Sequence, residues 1–280
     1  MRRTTKAAAR IAILCCAAPC LCAPVTGCTH DHEQDSREYG VFLGIDGSEA
    51  DRLKGYDIVV IEPSGFSANQ IDELHADGTT VYGYLNIGAL EEWRPYHDRF
   101  QDATLGAYED WPDERWMDAT SPAWQEFIVN ELGKEYADLG LDGFFLDNAD
   151  VYHHYPADAS FEGLLAILEG LKANHGLPPI VNGGDDFVSR CIDEGVAANL
   201  IDEVNQETVF TSIDFERKTY GERSEEERAY WQEYLAEAKA SGLSVYLLEY
   251  GADQELAKRI DAYCRKNGFL WYDARDLELR

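Results

Sequence analysis

The amino-acid sequence predicts an α/β protein with one (β/α)8 (TIM) barrel domain, and two observations lead to this fold class. Eight short apolar runs follow one another along the chain, and segments with helical patterns separate most of them. The runs contain consecutive apolar or aromatic residues rather than strict alternation, as expected for parallel strands that are covered on both faces. Eight parallel strands close a barrel, and the chain has the usual length of such a domain.

The elements can be placed along the chain from these runs and from their end signals. Helical patterns begin at capping residues, such as Ser67, Ser121 before Pro122, and the capping box that starts at Ser224. The stretch after the first run is short and no helical pattern follows the eighth, so the outer ring of helices is expected to be incomplete there. An open, doubly wound sheet is the alternative, but the sequence has no Gly-rich phosphate turn after the first run and no Walker loop. The predicted strands are 39–46, 57–62, 81–86, 143–147, 179–182, 200–207, 244–250 and 269–273.

A long insertion, residues 87–120, separates the third and fourth predicted strands. A loop of this length is uncommon unless it is functional, and it falls over the catalytic face of a barrel. It is rich in aromatic residues, and exposed rings over a cleft commonly stack on sugar rings. Packing of the same rings onto the barrel is the alternative, and we expect some of each. The aromatic residues are Trp93, Tyr96, Tyr108, Trp111 and Trp116, with Arg94 among them.

The first 28 residues read as an export signal. A basic start is followed by a short apolar run over 11–25, which is shorter than a membrane-spanning helix. The segment closes on Gly27-Cys28, which resembles a bacterial lipobox in which Cys28 becomes lipidated. This interpretation is favoured over ordinary cleavage near Ala23 or Gly27, which would give a soluble secreted protein. We therefore expect a signal with lipobox over 1–28, a polar tether over 29–38, the barrel over 39–280, and a membrane-anchored lipoprotein as the exported product.

Charge and cysteine content exclude several classes of function. The formal net charge is −29, so the folded domain is expected to repel nucleic acid and anionic lipid headgroups and to attract a cationic ligand. Contact with the membrane is expected only through the lipid anchor. Outside the signal and the lipobox only Cys191 and Cys264 remain, and we expect two free thiols rather than a disulfide. No metal site and no cofactor is predicted, because the adjacent His153 and His154 cannot both face one site from a strand or helix.

Polar side chains at the ends of the predicted strands carry the chemical prediction. The ends of barrel strands converge at the catalytic face, and two carboxylates on separate strands are what glycosidic hydrolysis requires. Each residue alone could also cap a turn or face solvent, but turns do not demand acids on six of eight strands. Carboxylates gathered in one cup repel each other, which raises some pKa values as a general acid needs. The strand-end residues are Asp46, Glu62, Asn86, Asp147, Asn182, Glu207, Glu249 and Asp273.

Four segments resemble glycoside hydrolase family 114, the endo-α-1,4-polygalactosaminidase-like barrels. They are residues 84–96 (YLNIGALEEWRPY), 140–150 (GLDGFFLDNAD), 204–207 (VNQE) and 272–277 (YDARDL). The resemblance implies that Asp147 is the nucleophile, that Glu207 is the acid/base, and that a partly deacetylated, cationic α-1,4-galactosamine polymer is the substrate. Ala89 departs from some relatives, which carry Glu there, so the substrate contacts need not be the same. The residues expected to contact substrate are Asp46, Glu62, Asn86, Trp93, Arg94, Asp150, Asn182, Glu249 and Asp273.

Two other hypotheses remain beside an exported glycoside hydrolase. A surface lipoprotein on the same fold could bind a glycan without cutting it, although the presence of both Asp147 and Glu207 argues against a degenerate site. A metal-dependent hydrolase is the weaker alternative, since no His-x-His pair follows the first predicted strand.

Overall fold

Eight parallel strands form one sheet whose order follows the chain. The structure is a computed structural model and describes residues 37–109 and 111–280. Each strand pairs with the next one along the chain, which confirms the predicted barrel. The barrel strands are β1 Arg37–Phe42, β2 Tyr56–Ile61, β3 Thr80–Asn86, β4 Gly143–Asp147, β5 Pro179–Asn182, β6 Glu203–Glu207, β7 Ser244–Tyr250 and β8 Leu270–Ala274.

The barrel is nearly closed at the seam between β1 and β8. In the part of the chain that the structure describes, no backbone ladder joins these two strands. Aromatic packing fills the seam, since the rings of Phe42 and Tyr272 lie 5.2 Å apart between centroids. The amide of Gly44 also donates to the carbonyl of Leu279 at 3.1 Å, so the chain after β8 is fixed against the loop after β1.

The helices lie between the strands, and several begin where the sequence predicts. In the capping box at Ser224, the amide of Glu227 donates to Ser224 Oγ and the amide of Ser224 donates to Glu227 Oε2. Only a 3-10 helix follows β1, and no helix follows β8 in the described residues, so the outer ring is incomplete as predicted. The α-helices are Ala68–Asp77, Pro122–Glu126, Gly133–Leu139, Asp158–His175, Asp185–Asp193, Glu225–Ala240 and Gln254–Asn267, with short turns at His97–Phe100, Val151–His154 and Ala197–Leu200. A π-helical segment spans Phe127–Leu132, and 3-10 helices span Gly47–Leu53, Pro63–Gly65 and Gln101–Ala103.

Two layers of buried side chains hold the barrel together. One layer fills the inside of the barrel and the other lies between the strands and the helices. Alternate residues of each strand face inward, for example Tyr246, Leu248 and Tyr250 on β7. This alternation decides which strand-end side chains enter the barrel mouth, because neighbours along a strand point to opposite faces.

The insertion between β3 and β4 forms a small sheet of its own. Strands Ala89–Glu91 and Thr104–Ala107 each pair antiparallel with Glu114–Met117. Its aromatic residues divide as expected between packing and exposure. The Trp116 side chain is buried, whereas that of Trp93 is 59% exposed.

A hairpin follows β6. Its strands, Thr211–Asp214 and Thr219–Glu222, pair antiparallel, and we call the segment 211–222 the β6 hairpin. It and the insertion lie on the same side of the barrel, at the carboxyl ends of the strands.

Some predicted boundaries differ from the observed ones. β1 begins at Arg37, inside the segment expected to be a tether, and it ends at Phe42 rather than at Asp46. β6 begins at Glu203, because the chain from Ala197 to Leu200 forms a helical turn. The predicted signal, Cys28 and the rest of the tether lie outside the described residues. Cys191 and Cys264 are free, as predicted, and both are buried.

Over residues 37–109 and 111–280, no helix is both long enough and apolar enough to cross a bilayer.

Candidate active site

A cleft of about 500 Å³ opens at the carboxyl ends of the barrel strands. The strand ends form its floor, and the insertion and the β6 hairpin form its walls. Six carboxyl groups line it, against two guanidinium groups among the described residues. The carboxyl groups belong to Glu62, Glu91, Glu114, Asp147, Asp150 and Glu207, and the guanidinium groups to Arg94 and Arg223.

Asp147 ends β4 and accepts hydrogen bonds on both of its carboxyl oxygens. The Tyr84 hydroxyl donates to Oδ2 at 2.8 Å, and Asn148 Nδ2 donates to the same oxygen at 3.3 Å. Asn182 Nδ2 donates to Oδ1 at 2.7 Å. Burial raises the pKa of Asp147, while the hydrogen bonds from Asn182 and Tyr84 oppose that effect. These hydrogen bonds favour the ionised form of the carboxyl group and fix its orientation, as a nucleophile requires.

Glu207 ends β6 on the other side of Asn182. Asn182 Nδ2 donates to Oε1 at 2.8 Å and the Tyr250 hydroxyl donates to Oε2 at 2.7 Å. Burial, followed by the charge of Asp147, raises the pKa of Glu207 to about 7. A carboxyl group with this pKa holds a proton at neutral pH and can release it, which suits a general acid.

The two carboxyl groups lie across the cleft floor at a separation that the Asn182 amide limits. Asp147 Oδ1 and Glu207 Oε1 lie 2.7 and 2.8 Å from the same nitrogen, so these oxygens can be at most 5.5 Å apart. Retaining glycosidases place their two carboxyl groups about 5–5.5 Å apart, and inverting ones about 6.5–9.5 Å. The arrangement therefore fits direct attack by one carboxylate better than activation of a water between the two.

The chain turns sharply immediately after each of these two residues. Asn148 and Thr208 have φ angles of 66° and 52°, in the left-handed region that only a few per cent of non-glycine residues occupy. Asparagine tolerates this region, but a β-branched threonine is strained there. Close approach behind the site also requires glycine: a Cβ on Gly88 would lie 1.7 Å from the carbonyl oxygen of Asn148.

Arg94 joins two of the cleft carboxylates in a buried network. Its guanidinium group makes a two-point contact with Glu91, at 2.7 and 3.0 Å, and also donates to Glu62 at 3.1 Å. Its guanidinium carbon lies 4.0 Å from the ring centroid of Trp93, which is exposed at the cleft edge. Arg94 is thus held by protein groups, while Trp93 offers a free ring face to a ligand.

Five of the nine residues predicted to contact substrate line the cleft, and four do not. Glu62, Trp93, Arg94, Asp150 and Asn182 line it, together with Asp147 and Glu207. Asn86 lies just beneath, buried, where it donates to the Tyr84 hydroxyl and accepts from the amide of Ala89.

The structure places Asp46, Glu249 and Asp273 outside the cleft lining, in structural positions. Asp46 caps the 3-10 helix after β1, where it accepts from the amide of Ser48. Glu249 points away from the barrel interior because Tyr250 faces inward, and it accepts from the amides at the start of the β6 hairpin. Asp273 accepts from the amide of Ala252.

Several cleft residues were not anticipated from the sequence. Tyr84 and Tyr250 hold the two central carboxylates and face inward on their strands, but their runs show no alternation that would have revealed this face. Glu91 and Glu114 come from the insertion, whose small sheet gave no clear pattern. Burial and the charge of Glu91 raise the pKa of Glu114 to about 8.

Over the described residues, no group of three or more His, Cys, Asp or Glu side chains has a geometry that could hold a metal ion.

A family model described as glycoside-hydrolase family GH114 matches residues 32–278 of the chain. The protein belongs to this family. It is a glycoside hydrolase, as its sequence predicted. No curated protein sequence matches the chain.

Solved structures of similar fold agree with this assignment. The glycoside hydrolase domain of PelA from Pseudomonas aeruginosa is 18% identical, with a TM-score of 0.74 over 86% of this chain and 95% of that one. Ega3 from Aspergillus fumigatus, solved in complex with galactosamine, is 17% identical, with a TM-score of 0.67 over 88% of this chain and 93% of that one. An α-galactosidase from Thermus thermophilus is 12% identical, with a TM-score of 0.54 over 84% and 57%. At these identities the likeness is one of fold.

Proposed function

We propose that this glycoside hydrolase cleaves α-linked galactosamine polymers of the α-1,4-polygalactosamine type, with retention of configuration. The observation that carries the proposal is the short separation of Asp147 and Glu207, whose nearest bridged oxygens are at most 5.5 Å apart. In the first step Asp147 attacks the anomeric carbon while Glu207 gives its proton to the departing oxygen. In the second step Glu207 takes a proton from water, which displaces Asp147 from the sugar.

The choice of an amino-sugar polymer follows from charge and from the similar structures. Six carboxyl groups line the cleft against two guanidinium groups, and Arg94 is already paired with Glu62 and Glu91. Such a surface favours a cationic chain. Ega3, which shares the fold, was solved with galactosamine bound. Trp93 supplies an exposed ring at the cleft edge for the apolar face of a sugar.

A polymer panel tests the substrate and the mechanism together. The protein is incubated with deacetylated α-1,4-polygalactosamine, with its fully N-acetylated form and with a neutral α-linked galactan, and the products are identified by mass spectrometry. We expect oligomers from the deacetylated polymer, and the α anomer first when the products are followed by ¹H NMR. First appearance of the β anomer would refute retention. Tight binding without any product from the panel would support the glycan-binding lipoprotein instead.

We further propose that the protein is exported and lipidated at Cys28. The support is the basic start, the short apolar run and the Gly27-Cys28 pair in the sequence. Palmitate labelling in the native host should mark the wild-type protein, and Cys28→Ala should release it from the membrane. Unchanged membrane retention of the variant would contradict the lipid anchor.

A further inference from the structure

A chain of hydrogen bonds runs from the barrel interior to the two central carboxylates. The hydroxyl of Tyr39 donates to Asn205 Oδ1 at 3.0 Å, and Asn205 Nδ2 donates to Asn182 Oδ1 at 2.6 Å. Asn182 Nδ2 then donates to both carboxylates. Asn205 is fully buried and Tyr39 is 3% exposed, and neither lines the cleft. The chain therefore reaches the reacting groups from a place that the substrate does not touch.

The carboxyl groups at the end of this series of hydrogen bonds decide which group donates and which accepts at each step. The ionised form of Asp147 only accepts hydrogen bonds, so the Asn182 amide must turn its nitrogen toward Asp147 and its oxygen toward Asn205. Asn205 must then donate its own nitrogen, which leaves its oxygen facing Tyr39. Burial raises the pKa of Tyr39, and Tyr246 and Glu207 raise it further, so its hydroxyl keeps the proton that it donates.

We propose that Asn205 and Tyr39 are positioning residues that hold the Asn182 amide nitrogen toward Asp147 and Glu207. This rests on the proposed roles of those two carboxylates. If these hydrogen bonds are lost, Asn205 no longer opposes a flip of the Asn182 amide. The flip would bring the amide oxygen to the carboxyl groups. Both groups would then lose a donor, and the ionised Asp147 would gain a repulsive neighbour.

A flip of the Asn182 amide should change the pKa of both Asp147 and Glu207. Burial raises the pKa of Asp147 and of Glu207, and the hydrogen bonds from Asn182 counter that rise in each. Losing them should therefore move both pKa values upward together. The pair also faces Tyr84 of β3, Tyr250 of β7, Asp150 after β4 and Glu114 of the insertion, which the variants below leave in place.

Tyr39→Phe and Asn205→Leu test the chain, and Tyr246→Phe is the matched control. The Tyr246 ring stacks on that of Tyr39 with centroids 4.7 Å apart, but its hydroxyl donates to Glu203 and not to Asn205. On the galactosamine polymer we expect kcat to fall about tenfold in the first two variants, the scale of one lost hydrogen bond, with little change in KM. Both limbs of the pH profile of kcat/KM should move to higher pH. Tyr246→Phe should keep the wild-type kcat, and both limbs of its pH profile should stay at the wild-type pH.

Asn205→Asp separates hydrogen bonding from packing. A protonated aspartic acid can donate its hydroxyl proton to Asn182 Oδ1 and accept from Tyr39, whereas its ionised form can only accept. Activity of this variant should approach that of wild type at acid pH and fall as the new carboxyl group ionises. Asn205→Leu should not recover at any pH. Wild-type activity of Asn205→Leu at every pH would overturn the proposal.

A second readout does not depend on turnover. The carboxyl ¹³C titration of Glu207, assigned with Glu207→Gln, should move to higher pH in Tyr39→Phe and stay in place in Tyr246→Phe. If wild type cleaves the polymer but Tyr39→Phe matches the control in both rate and titration, the positioning role is wrong and the proposed function stands. If wild type cleaves nothing, the proposed function is wrong, and the titration alone decides the positioning role.

Discussion

Arg223 donates two hydrogen bonds to Thr208, the residue that follows Glu207. Its Nε reaches the carbonyl oxygen at 2.6 Å and its Nη2 reaches the hydroxyl oxygen at 2.8 Å. Thr208 is held in the left-handed region, where a β-branched residue is strained. Arg223 follows directly after the β6 hairpin, so this contact ties the hairpin to the backbone beside Glu207. The strain is maintained by a contact that only a guanidinium fork can make.

Arg223→Lys should therefore lower kcat by about tenfold or more, because the ammonium group does not reproduce the planar fork that reaches both Thr208 oxygens, and Thr208 would relax. Adding Thr208→Gly should restore part of the lost kcat, since glycine adopts this conformation without strain. Steady-state kinetics of the single and double variants check this. An Arg223→Lys defect that Thr208→Gly leaves untouched would mean that Arg223 acts by contacting the substrate.

Asp147→Asn and Glu207→Gln each remove one carboxylate with little change of shape. Turnover should fall by at least about 10²-fold, the usual scale for a positioned proton transfer, while binding weakens less. Kinetics and affinity are measured at two salt concentrations, because screening shows how much binding depends on exposed charge. Glu203→Gln is the control on the same strand, where Glu203 accepts from Tyr246 at the far end of the barrel. Wild-type turnover in either cleft variant would exclude that residue from the pair.

Tyr250→Phe and Tyr84→Phe should move opposite limbs of the pH profile. Tyr250 donates to Glu207, which must be protonated, and Tyr84 donates to Asp147, which must be ionised. Each hydrogen bond favours the charged form, so its removal raises the pKa of its partner. Tyr250→Phe should shift the alkaline limb, near pH 7 in wild type, to higher pH. Tyr84→Phe should instead shift the acid limb to higher pH. The same limb moving in both variants would reverse or remove the assigned roles.

The barrel could be predicted from the sequence because its strands are short, apolar and buried on both faces. The sequence predicted that Asp147 and Glu207 lie at the mouth of the barrel, because both end predicted strands. It did not separate them from Glu249, which also ends a strand run but lies one residue before the inward-facing Tyr250. Neighbouring residues of a strand point to opposite faces of the sheet, so moving along the strand by one residue changes the face. A run that is apolar throughout does not reveal which residues point inward.

The walls of the cleft were harder to predict than its floor. The small sheet of the insertion places Glu114 opposite Glu91, but its strands have three or four residues and no periodic pattern. Left-handed Thr208 could not be expected from a residue type that avoids that region. Both features depend on tertiary contacts. The small sheet packs at the barrel mouth, and Thr208 is held by Arg223 next to the β6 hairpin.

Trp111 of the insertion and Phe215 of the β6 hairpin meet edge to face at the cleft, with centroids 5.8 Å apart. An aromatic pair of this kind contributes about 0.5–1.5 kcal/mol beyond its buried area. Trp111→Ala should raise KM for the polymer several-fold and leave kcat little changed, because the walls separate but the carboxylates stay in place. Tyr230→Ala removes an exposed ring outside the cleft lining and should leave KM unchanged. An unchanged KM in Trp111→Ala would show that the contact does not support binding.

Stability should decrease as the pH rises from about 5 to 8. Burial raises the pKa of both Glu207 and Glu249 to about 7, above the value of about 4.3 for an unfolded chain. Between these values the folded protein binds more protons than the unfolded one, so stability is greatest below the unfolded pKa and is lost as the pH rises through the folded pKa. At about 1.4 kcal/mol per pKa unit, Glu249 alone accounts for about 3 kcal/mol over this window. Thermal unfolding at pH 5 and pH 8 should therefore give the higher Tm at pH 5.

Glu249→Gln should reduce that difference in Tm, because the fully buried group can no longer ionise while most of its shape is kept. Glu226→Gln, on the exposed face of the helix Glu225–Ala240, is the matched control and should keep the wild-type difference. The amides of Phe210 and Thr211 donate to Glu249, so the variant should also loosen the start of the β6 hairpin. Hydrogen exchange at those two amides checks this directly. The same pH dependence of Tm in Glu249→Gln as in wild type would show that Glu249 is already ionised in the folded protein at pH 5.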